Sequence, residues 1–428
     1  MCSSDLLDSI GVTWDYDYTN TAGTTTNVTH TEYITNKDLY LGDSTFFTFA
    51  TGPDLSGYGI YDIKIYTAQP GDTVNTNDTI GPIRIVHEQP YTTFPYVLDF
   101  DDAATTPGNN TPFNAGTFSN AVFTPTPASN SGSFAFMVGT GYTPTVGSGP
   151  ISDKSGLGNY LVAEGDYGTS PASATLVSKC LDLTGMTSPV LQFRHHMYGA
   201  DIGAIRVQWI KDGENNWSNP MTPYTATLGD EKDQWSHYEV DLSSQAGKIV
   251  KLRFIAQKSG FGIASDIAFD DIAIFDKKNV DVGVDHVIAP GARVNLTGGP
   301  AGKRLQVKLR NFGKQAQSNI PITYTVTPTC GTNAGVATTY TFTHSGSVAA
   351  GNMATAVDAT NTVAWPTGTF EVHAWTTKNG DTHGWNDTSY TMSAGWPEKY
   401  IQSGFVEDFE NCAFGDTSGF FVAGDLNI

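Results

Sequence analysis

Basic residues are scarce in this sequence. The 428-residue chain contains 23 Lys and Arg residues against 43 Asp and Glu residues, which gives a formal net charge of −20. Charged residues of both signs make up only 15% of the chain, against about 25% in an average domain. The acidity therefore reflects a shortage of basic side chains. Such a surface repels phosphate groups, so we expect no nucleic-acid partner and no attraction to anionic membrane surfaces.

Long apolar runs are missing too. No stretch approaches the roughly 20 apolar residues of a membrane span, so we expect no direct membrane insertion by this part of the protein. Residues 1–12 lack the basic start and apolar run of a secretory signal. The first six residues, MCSSDL, resemble the translation of a sequencing-adapter remnant, and the last residues stop in the middle of a repeat. We therefore expect a fragment of a longer protein.

The cysteine pattern predicts neither a disulfide framework nor a zinc site. The four cysteines are Cys2, Cys180, Cys330 and Cys412, and they form neither a CxxC pair nor a zinc-ligand spacing. The last three are far apart in the sequence, so their spacing does not indicate a set of disulfides.

Motifs of common enzymes are absent as well. The sequence contains no HExxH, GxSxG or GxGxxG, and GGPAGKR at Gly298 lacks the leading glycine of a phosphate-binding loop. His195 and His196 are adjacent on a predicted strand, so they face opposite sides of the sheet and cannot bind one metal ion together. Paired carboxylates of the glycosidase type remain compatible with the sequence. No motif indicates a catalytic cleft, however, and we expect no catalysis in this chain.

The abundant residues are typical of β-proteins. Gly accounts for 45 residues and aromatic residues for 12% of the chain, and Thr, Ser and Asn are frequent. Short alternating runs predict strands, among them those beginning at Val190, Ile205, Val250, Leu305 and Phe370. Residues 94–277 show no sustained helical periodicity. The sequence therefore predicts an all-β fold.

An internal repeat organises the chain. The segment GIYDIKIYTAQPGDTVNTNDT begins at Gly59 and aligns without a gap with GTFEVHAWTTKNGDTHGWNDT, which begins at Gly368, 309 residues later. The same offset carries residues 99–101 onto residues 408–410. We therefore predict a tandem array in which a small module and a large module alternate.

The small module, residues 278–398, contains about seven short strands in ~120 residues, which is typical of an immunoglobulin-like sandwich. Its pattern PGARVNL…LQVKLRNFGKQ…GTFEVHAWT…NGDTHGWNDT resembles the cell-adhesion-related immunoglobulin-like domains of bacteria known as CARDB. The resemblance implies an adhesive surface protein of bacterial origin.

The large module, residues 94–277, has the size of a jelly-roll sandwich. The segments HMYG at 196–199, VDLS at 240–243 and SDIAFDDI at 265–272 resemble the MAM (meprin/A5/phosphatase mu) domain family, with VLDFDD at 97–102 as its entry. Only Cys180 falls inside this module, so the disulfides of the family cannot be carried over. The resemblance implies a jelly-roll MAM-like module alternating with immunoglobulin-like β-sandwiches.

The predicted organisation has five parts. These are residues 1–6, a non-native remnant; 7–93, the C-terminal part of an immunoglobulin-like module; 94–277, a MAM-like jelly-roll module; 278–398, a complete immunoglobulin-like module; and 399–428, the start of a second MAM-like module.

Clustered carboxylates predict a cation site in the large module. Asp99, Asp101 and Asp102 end its first strand, and three more aspartates lie in its last, which is often a neighbour of the first. Ca²⁺ takes six to eight oxygen ligands, and carboxylates gathered without Lys or Arg repel one another unless a cation neutralises them. The resemblance implies a cation at this place, with candidate ligands Asp101, Asp153, Asp270, Asp271 and Asp266. The alternative is that these side chains cap turns and solvate strand ends.

The function we expect is extracellular adhesion or recognition by modules of a multidomain secreted or cell-surface protein. The modules would be non-catalytic and calcium-stabilised, with an extracellular protein or glycan as ligand. One alternative is that they are accessory domains of a secreted peptidase or glycosidase whose catalytic domain lies outside this chain. Another is that the large module is a carbohydrate-binding module. Exposed aromatic side chains such as Trp217, Trp235, Trp375 and Trp385 could also form a sugar- or protein-binding platform, although a tryptophan in a sandwich is more often a core residue.

Overall fold

The computed structural model describes most of the chain between residues 9 and 396. The described ranges are 9–35, 43–70, 72–101, 114–116, 118–128, 133–156, 158–167, 172–211, 213–219, 221–291, 293–295, 303–330 and 333–396. The predicted remnant at 1–6, Asp102, and the predicted start of a second large module at 399–428 lie outside these ranges.

The predicted all-β fold class is confirmed. In the described ranges the regular structure consists of strands and two short 3-10 turns, Asn75–Asn77 and Ser243–Gln245. The chain divides into two compact units, Met1–Tyr91 and Thr92–Ile428. No helix in this part of the protein has the length and apolar character needed to cross a membrane.

The first unit is built on one antiparallel sheet in the order β2-β1-β3-β4. Alternation places Trp14, Tyr16, Tyr61 and Ile63 on one face, where they form the core of the unit. Residues 43–57 cross that face, and the Trp14 Nε1 donates to the Thr51 carbonyl over 2.9 Å. The strands are β1 (Ser9–Asn20), β2 (Thr25–Thr35), β3 (Gly59–Ala68) and β4 (Thr79–His87).

The second unit begins with a sandwich of two sheets. One sheet has the order β11-β15-β10-β7, with β13 also paired to β15, and the other has the order β14-β12-β16-β9-β8-β6, with β5 also paired to β16. The strands are β5 (Tyr96–Leu98), β6 (Asn114–Gly116), β7 (Phe123–Thr126), β8 (Phe136–Thr140), β9 (Tyr160–Ala163), β10 (Ser173–Ser178), β11 (Leu181–Asp182), β12 (Pro189–Met197), β13 (Ile202–Lys211), β14 (Ser236–Asp241), β15 (Ile249–Lys258) and β16 (Ile267–Asp276).

Aromatic side chains fill the space between these two sheets. Phe254 on β15 lies 5.3 Å from Phe193 on β12 and 5.6 Å from Phe269 on β16, measured between ring centroids. All three side chains are buried. This interdigitation of the inner faces is the jelly-roll core that the sequence predicts.

A second sandwich follows in the same unit. A sheet in the order β17-β19-β22 packs on a sheet in the order β18-β24-β23-β20-β21, around a core that includes Leu309, Ile322, Tyr324 and Phe370. This is the predicted immunoglobulin-like architecture. The strands are β17 (Val282–Ala289), β18 (Arg293–Asn295), β19 (Gln306–Asn311), β20 (Ile320–Pro328), β21 (Thr338–His344), β22 (Met353–Val357), β23 (Gly368–Thr376) and β24 (Thr388–Trp396).

The two sandwiches of the second unit share a junction with a buried ion cluster. Asp285 on β17 accepts from the Arg194 guanidinium of β12 over 2.8 Å and from the Arg310 guanidinium of β19 over 2.8 Å. Burial opposes ionisation of Asp285, yet Arg194, His286 and Arg310 together hold its pKa well below the usual range. Since each charge has an opposite partner inside the protein, the cluster fixes one sandwich against the other.

The cysteines differ in state. Cys180 is a partly buried thiol. Cys330 is disulfide-bonded, which the wide spacing of the cysteines did not indicate.

Candidate functional site

An acidic cleft of about 460 Å³ lies where the two sandwiches of the second unit meet. Five carboxylates line it, and the second sandwich contributes Trp385 and Tyr390 to its wall. Four of the five are among the cation ligands that the sequence predicts. The five are Asp99, Asp101, Asp153, Asp270 and Asp271.

Strand pairing brings the two ends of the large module together. Ile272, Ala273 and Ile274 of β16 pair with Leu98, Val97 and Tyr96 of β5, so the residues that follow β5 lie beside the middle of β16. The expectation that the first and last strands are neighbours is confirmed.

Two local irregularities aim the carboxylates at the cleft. The pairing of β12 with β16 shifts register between Gln192 and Arg194, opposite Asp271, which takes a positive φ of 48°. Such a bulge redirects side chains. On the other side, Phe100 has a φ of 62° and is fully buried, which anchors the turn that carries Asp99 and Asp101.

The cleft carboxylates are hydrogen-bonded mainly to backbone amides. The Asp101 Oδ1 accepts from the Asn159 amide over 2.6 Å, and the Asp270 Oδ2 accepts from the Lys154 amide over 3.0 Å. The Asp153 Oδ2 accepts from the Ser155 amide over 2.9 Å. Its other oxygen, Oδ1, is buried and has no hydrogen-bond partner among the described residues.

Ionising these groups together is unfavourable. Burial, and then the charges of Asp271 and Asp153, raise the pKa of Asp270 well above its usual range. Burial also raises the pKa of Asp101, against the hydrogen bond from the Asn159 amide. A cation in the cleft would relieve both effects.

The candidate ligands suit a hard cation, since each of them is a carboxylate oxygen. One of these oxygens, the buried Asp153 Oδ1, receives no hydrogen bond from the described residues. Their spacing is wider than a metal site requires. Within the described ranges, no three His, Cys, Asp or Glu side chains are placed to hold one ion as they stand. The cleft also holds a basic group that was not predicted from the sequence. The Lys154 Nζ lies 3.8 Å from the Asp271 Oδ2.

Asp266 is separate from the cleft. It is fully buried beside Glu164, and its Oδ1 accepts from the Gly165 amide over 2.7 Å. Burial, and then the charge of Asp266, raise the pKa of Glu164 to about 9, and burial raises the pKa of Asp266. Neither the Glu164 Oε2 nor the Asp266 Oδ2 has a donor among the described groups, and a proton held by Glu164 would supply the missing donor.

Sequence reasoning missed Glu164. The only signal was its position, directly after the four apolar residues of β9, YLVA. An acidic side chain that continues such a run stays in the core unless the chain turns outward at once.

The other singled-out residues are structural. His195 lies 4.6 Å from Tyr224 and His196 lies 5.6 Å from Trp235, between ring centroids, and burial lowers the pKa of both histidines to about 4. Trp235 is buried, and its Nε1 donates to the Ser152 carbonyl over 3.1 Å. These three side chains contribute to the packing of the sandwich.

Comparison with known proteins supports the predicted family for part of the chain. Residues 131–279 match the model of the MAM domain, meprin/A5/mu. Thyroid hormone-induced protein B of Xenopus laevis is 35% identical over 134 residues, which is 31% of this chain and 18% of that protein. Neuropilin-1 of Xenopus laevis is 28% identical over 126 residues, which is 29% of this chain and 13% of that protein. The chain thus spans less than a fifth of either relative.

Solved structures give weaker likenesses. The K1 cleaved adhesin domain of Lys-gingipain from Porphyromonas gingivalis W83 is 20% identical, with 39% of this chain and 98% of that chain covered and a TM-score of 0.27. The glycoside hydrolase domain of Endo-D from Streptococcus pneumoniae R6 is 14% identical, with 60% and 37% covered and a TM-score of 0.25. Both TM-scores are too low for either likeness to bear on function.

Proposed function

We propose that this chain supplies non-catalytic recognition modules to a larger extracellular or cell-surface adhesion protein, and that Ca²⁺ binds in the acidic cleft. The observation that carries the proposal is the convergence of five carboxylates at the junction of two sandwiches, in a unit that contains a MAM-domain match. A bacterial source and CARDB-like small modules belong to the same proposal, on the sequence resemblance alone.

Asp101, Asp153, Asp270 and Asp271 are the side chains that would hold the cation. When bound, the ion would supply positive charge to groups whose joint ionisation is otherwise disfavoured. Asp101 follows β5, Asp153 lies in a loop, and the other two belong to β16. Holding these segments together would stiffen the part of the module that borders the second sandwich.

The ligand we propose is an extracellular protein or a glycan that binds at the rim of the cleft. Tyr390 is 36% exposed and lies at the cleft together with Trp385. An aromatic wall beside carboxylates suits the apolar face and hydroxyl groups of a sugar, which favours the glycan as the first ligand to test.

Calorimetry with Ca²⁺ on the whole chain tests the cation site. We expect heat of binding and a rise in melting temperature, both lost in Asp101→Asn and in Asp270→Asn. Asp241→Asn, on an exposed carboxylate outside the cleft, is the matched control and should bind as the parent does. If the parent chain gives neither heat nor a higher melting temperature, the calcium site is refuted.

A glycan array with the same proteins tests recognition separately. We expect Ca²⁺-dependent binding that Tyr390→Ala weakens and Asp241→Asn leaves intact. An array without signal would count against a glycan ligand and leave the result of the calcium test unchanged.

A further inference from the structure

The charges of the jelly roll are divided between its two sheets. In the sheet that contains β12, β14 and β16, the described strands carry five carboxylates and a single Lys or Arg residue, Arg194. In the other sheet, which contains β10, β13 and β15, they carry a single carboxylate, Asp182 on β11, and five Lys and Arg residues. We call this second sheet the basic sheet. Its basic residues are Arg206, Lys211, Lys251, Arg253 and Lys258.

Strand alternation turns two arginines of the basic sheet outward. Arg206 and Arg253 each lie between two buried apolar residues of their strand, so both point to the outer face, where they are partly exposed. Arg206 pairs with Ile255, and Gln208 pairs with Arg253. The two arginines are therefore diagonal neighbours on adjacent strands, with a backbone separation of about 7–8 Å. One extended ligand on this face can contact both guanidinium groups.

Neighbouring side chains hold Arg253 in a fixed orientation. Its Cζ lies 4.2 Å from the centroid of the Trp217 ring, which is within the range of a cation–π contact. Its Nε donates to the Gln208 Oε1 over 2.5 Å, and the Gln208 Nε2 donates in turn to the Asn219 Oδ1. Neither Nη group of Arg253 forms a hydrogen bond to a residue that the structure describes. The guanidinium is thus oriented in advance, with two donors left for an anionic group.

No carboxylate of the described residues neutralises these two arginines. Arg206 only donates to the Gln257 Oε1, over 3.4 Å. Burial lowers the pKa of Arg253, and no nearby negative charge offsets that effect. The chain nevertheless has 43 acidic residues against 23 basic ones, so a guanidinium without a carboxylate is unexpected. Two of them side by side indicate an anion that comes from outside the chain.

The rest of the outer face is polar and uncharged. Thr124 and Thr126 of β7 are exposed, and Thr175 of β10 is partly exposed. Thr126 pairs with Thr175, so their hydroxyl groups extend the face away from the arginines. Hydroxyl and amide groups beside a partly exposed indole ring, that of Trp217, suit the hydroxyl groups and apolar faces of sugar rings.

We propose that the outer face of the basic sheet binds an acidic polysaccharide, whose carboxylate or sulfate groups are held by Arg253 and Arg206. This site is separate from the acidic cleft, whose carboxylates on β16 belong to the opposite sheet. Packed sheets lie about 10 Å apart, and the Debye length is about 8 Å at physiological ionic strength. The negative charge of the cleft is therefore largely screened at the basic sheet.

Fluorescence anisotropy of a labelled oligogalacturonate with the whole chain tests the proposal. Chelator is present throughout, so that a calcium ion in the cleft does not contribute. We expect saturable binding that weakens as salt is added. Arg253→Gln and Arg206→Gln should each weaken it by about ten-fold or more, since each removes a charge-assisted hydrogen bond.

Arg84→Gln is the matched control. It removes the same charge, but the Arg84 guanidinium already donates two 2.8 Å bonds to Asp62 in the first unit. We expect this variant to bind like the parent. Trp217→Ala leaves the charge unchanged and removes the ring that positions Arg253, so it should weaken binding, and Trp217→Phe should restore most of the loss.

Competition identifies the chemistry of the ligand without any variant. Dextran sulfate should displace the label and neutral dextran should not, and the relative strength of dextran sulfate and unlabelled polygalacturonate tells whether sulfate or carboxylate is preferred. Absence of binding, an equal loss in Arg84→Gln, or equal displacement by poly-glutamate would overturn the proposal, because the last result would reduce it to attraction between charges. Each of these results leaves the calcium test of the cleft as it stands.

Discussion

The raised pKa of Glu164 predicts that alkali destabilises the second unit. The fold raises the pKa of Glu164 from its ordinary value of 4.5 to about 9, so between these pH values the folded state holds a proton that the unfolded state has lost. A raised folded pKa contributes stability that is fully present at low pH and disappears as the pH rises through the folded pKa. The expected slope is about 1.4 kcal/mol per pH unit, or about 4 kcal/mol between pH 5 and pH 8.

The variant Glu164→Gln isolates this effect, because the amide cannot ionise and still donates to Asp266. In urea unfolding with chelator present, the stability of the variant relative to the parent should rise by about 4 kcal/mol from pH 5 to pH 8. Asp166→Asn, which removes an exposed charge that contributes least to the raised pKa of Glu164, should keep most of the pH dependence of the parent. A difference between Glu164→Gln and the parent that stays constant with pH would refute the raised pKa of Glu164.

Three further predictions concern the second sandwich and its junction, each measured by chemical denaturation at pH 7. Asp285→Asn leaves the buried Arg194 and the partly buried Arg310 without a counter-charge, and it should cost about 3–5 kcal/mol. Tyr324→Phe removes the donor of a 2.6 Å bond to Asp358 and should cost about 1–2 kcal/mol; an unchanged midpoint would show that the bond contributes nothing net. Gly283→Ala forces a Cβ against the backbone and should cost about 1–3 kcal/mol, while Gly291→Ala, which meets no atom within 4 Å, should be neutral.

The sequence predicted the fold class and most of the cleft. Alternation gave the strands, and the adjacency of first and last strands brought Asp101 near Asp270 and Asp271. Lys154 was not anticipated beside them, although its neighbour Asp153 was a predicted ligand, because the sequence does not record which way a side chain in a loop points.

The remaining features depend on local backbone geometry or on long-range contact. The bulge at Asp271 cannot be recognised from the sequence of β16, because the residues before and after the Asp270–Asp271 pair are all apolar up to Phe275 and show no alternation. Asp266 is only four residues from Asp270 and was therefore expected at the same site, but the strand carries it into the core beside Glu164. The Arg194–Asp285 pair joins residues of two sandwiches, and no periodicity within either strand records a partner in another domain.

The junction between the two sandwiches has a consequence for dissection of this protein. A cut after residue 277 would leave Arg194 without Asp285 and would strip Phe275 of its contact with Trp385, 5.0 Å away between ring centroids. It would also remove one wall of the acidic cleft, because Trp385 and Tyr390 belong to the far side of the cut. A recombinant jelly roll expressed alone would thus expose Phe275 and an unpaired Arg194 and would lack one wall of the cleft. The smallest part of the chain that keeps these contacts is the pair of sandwiches.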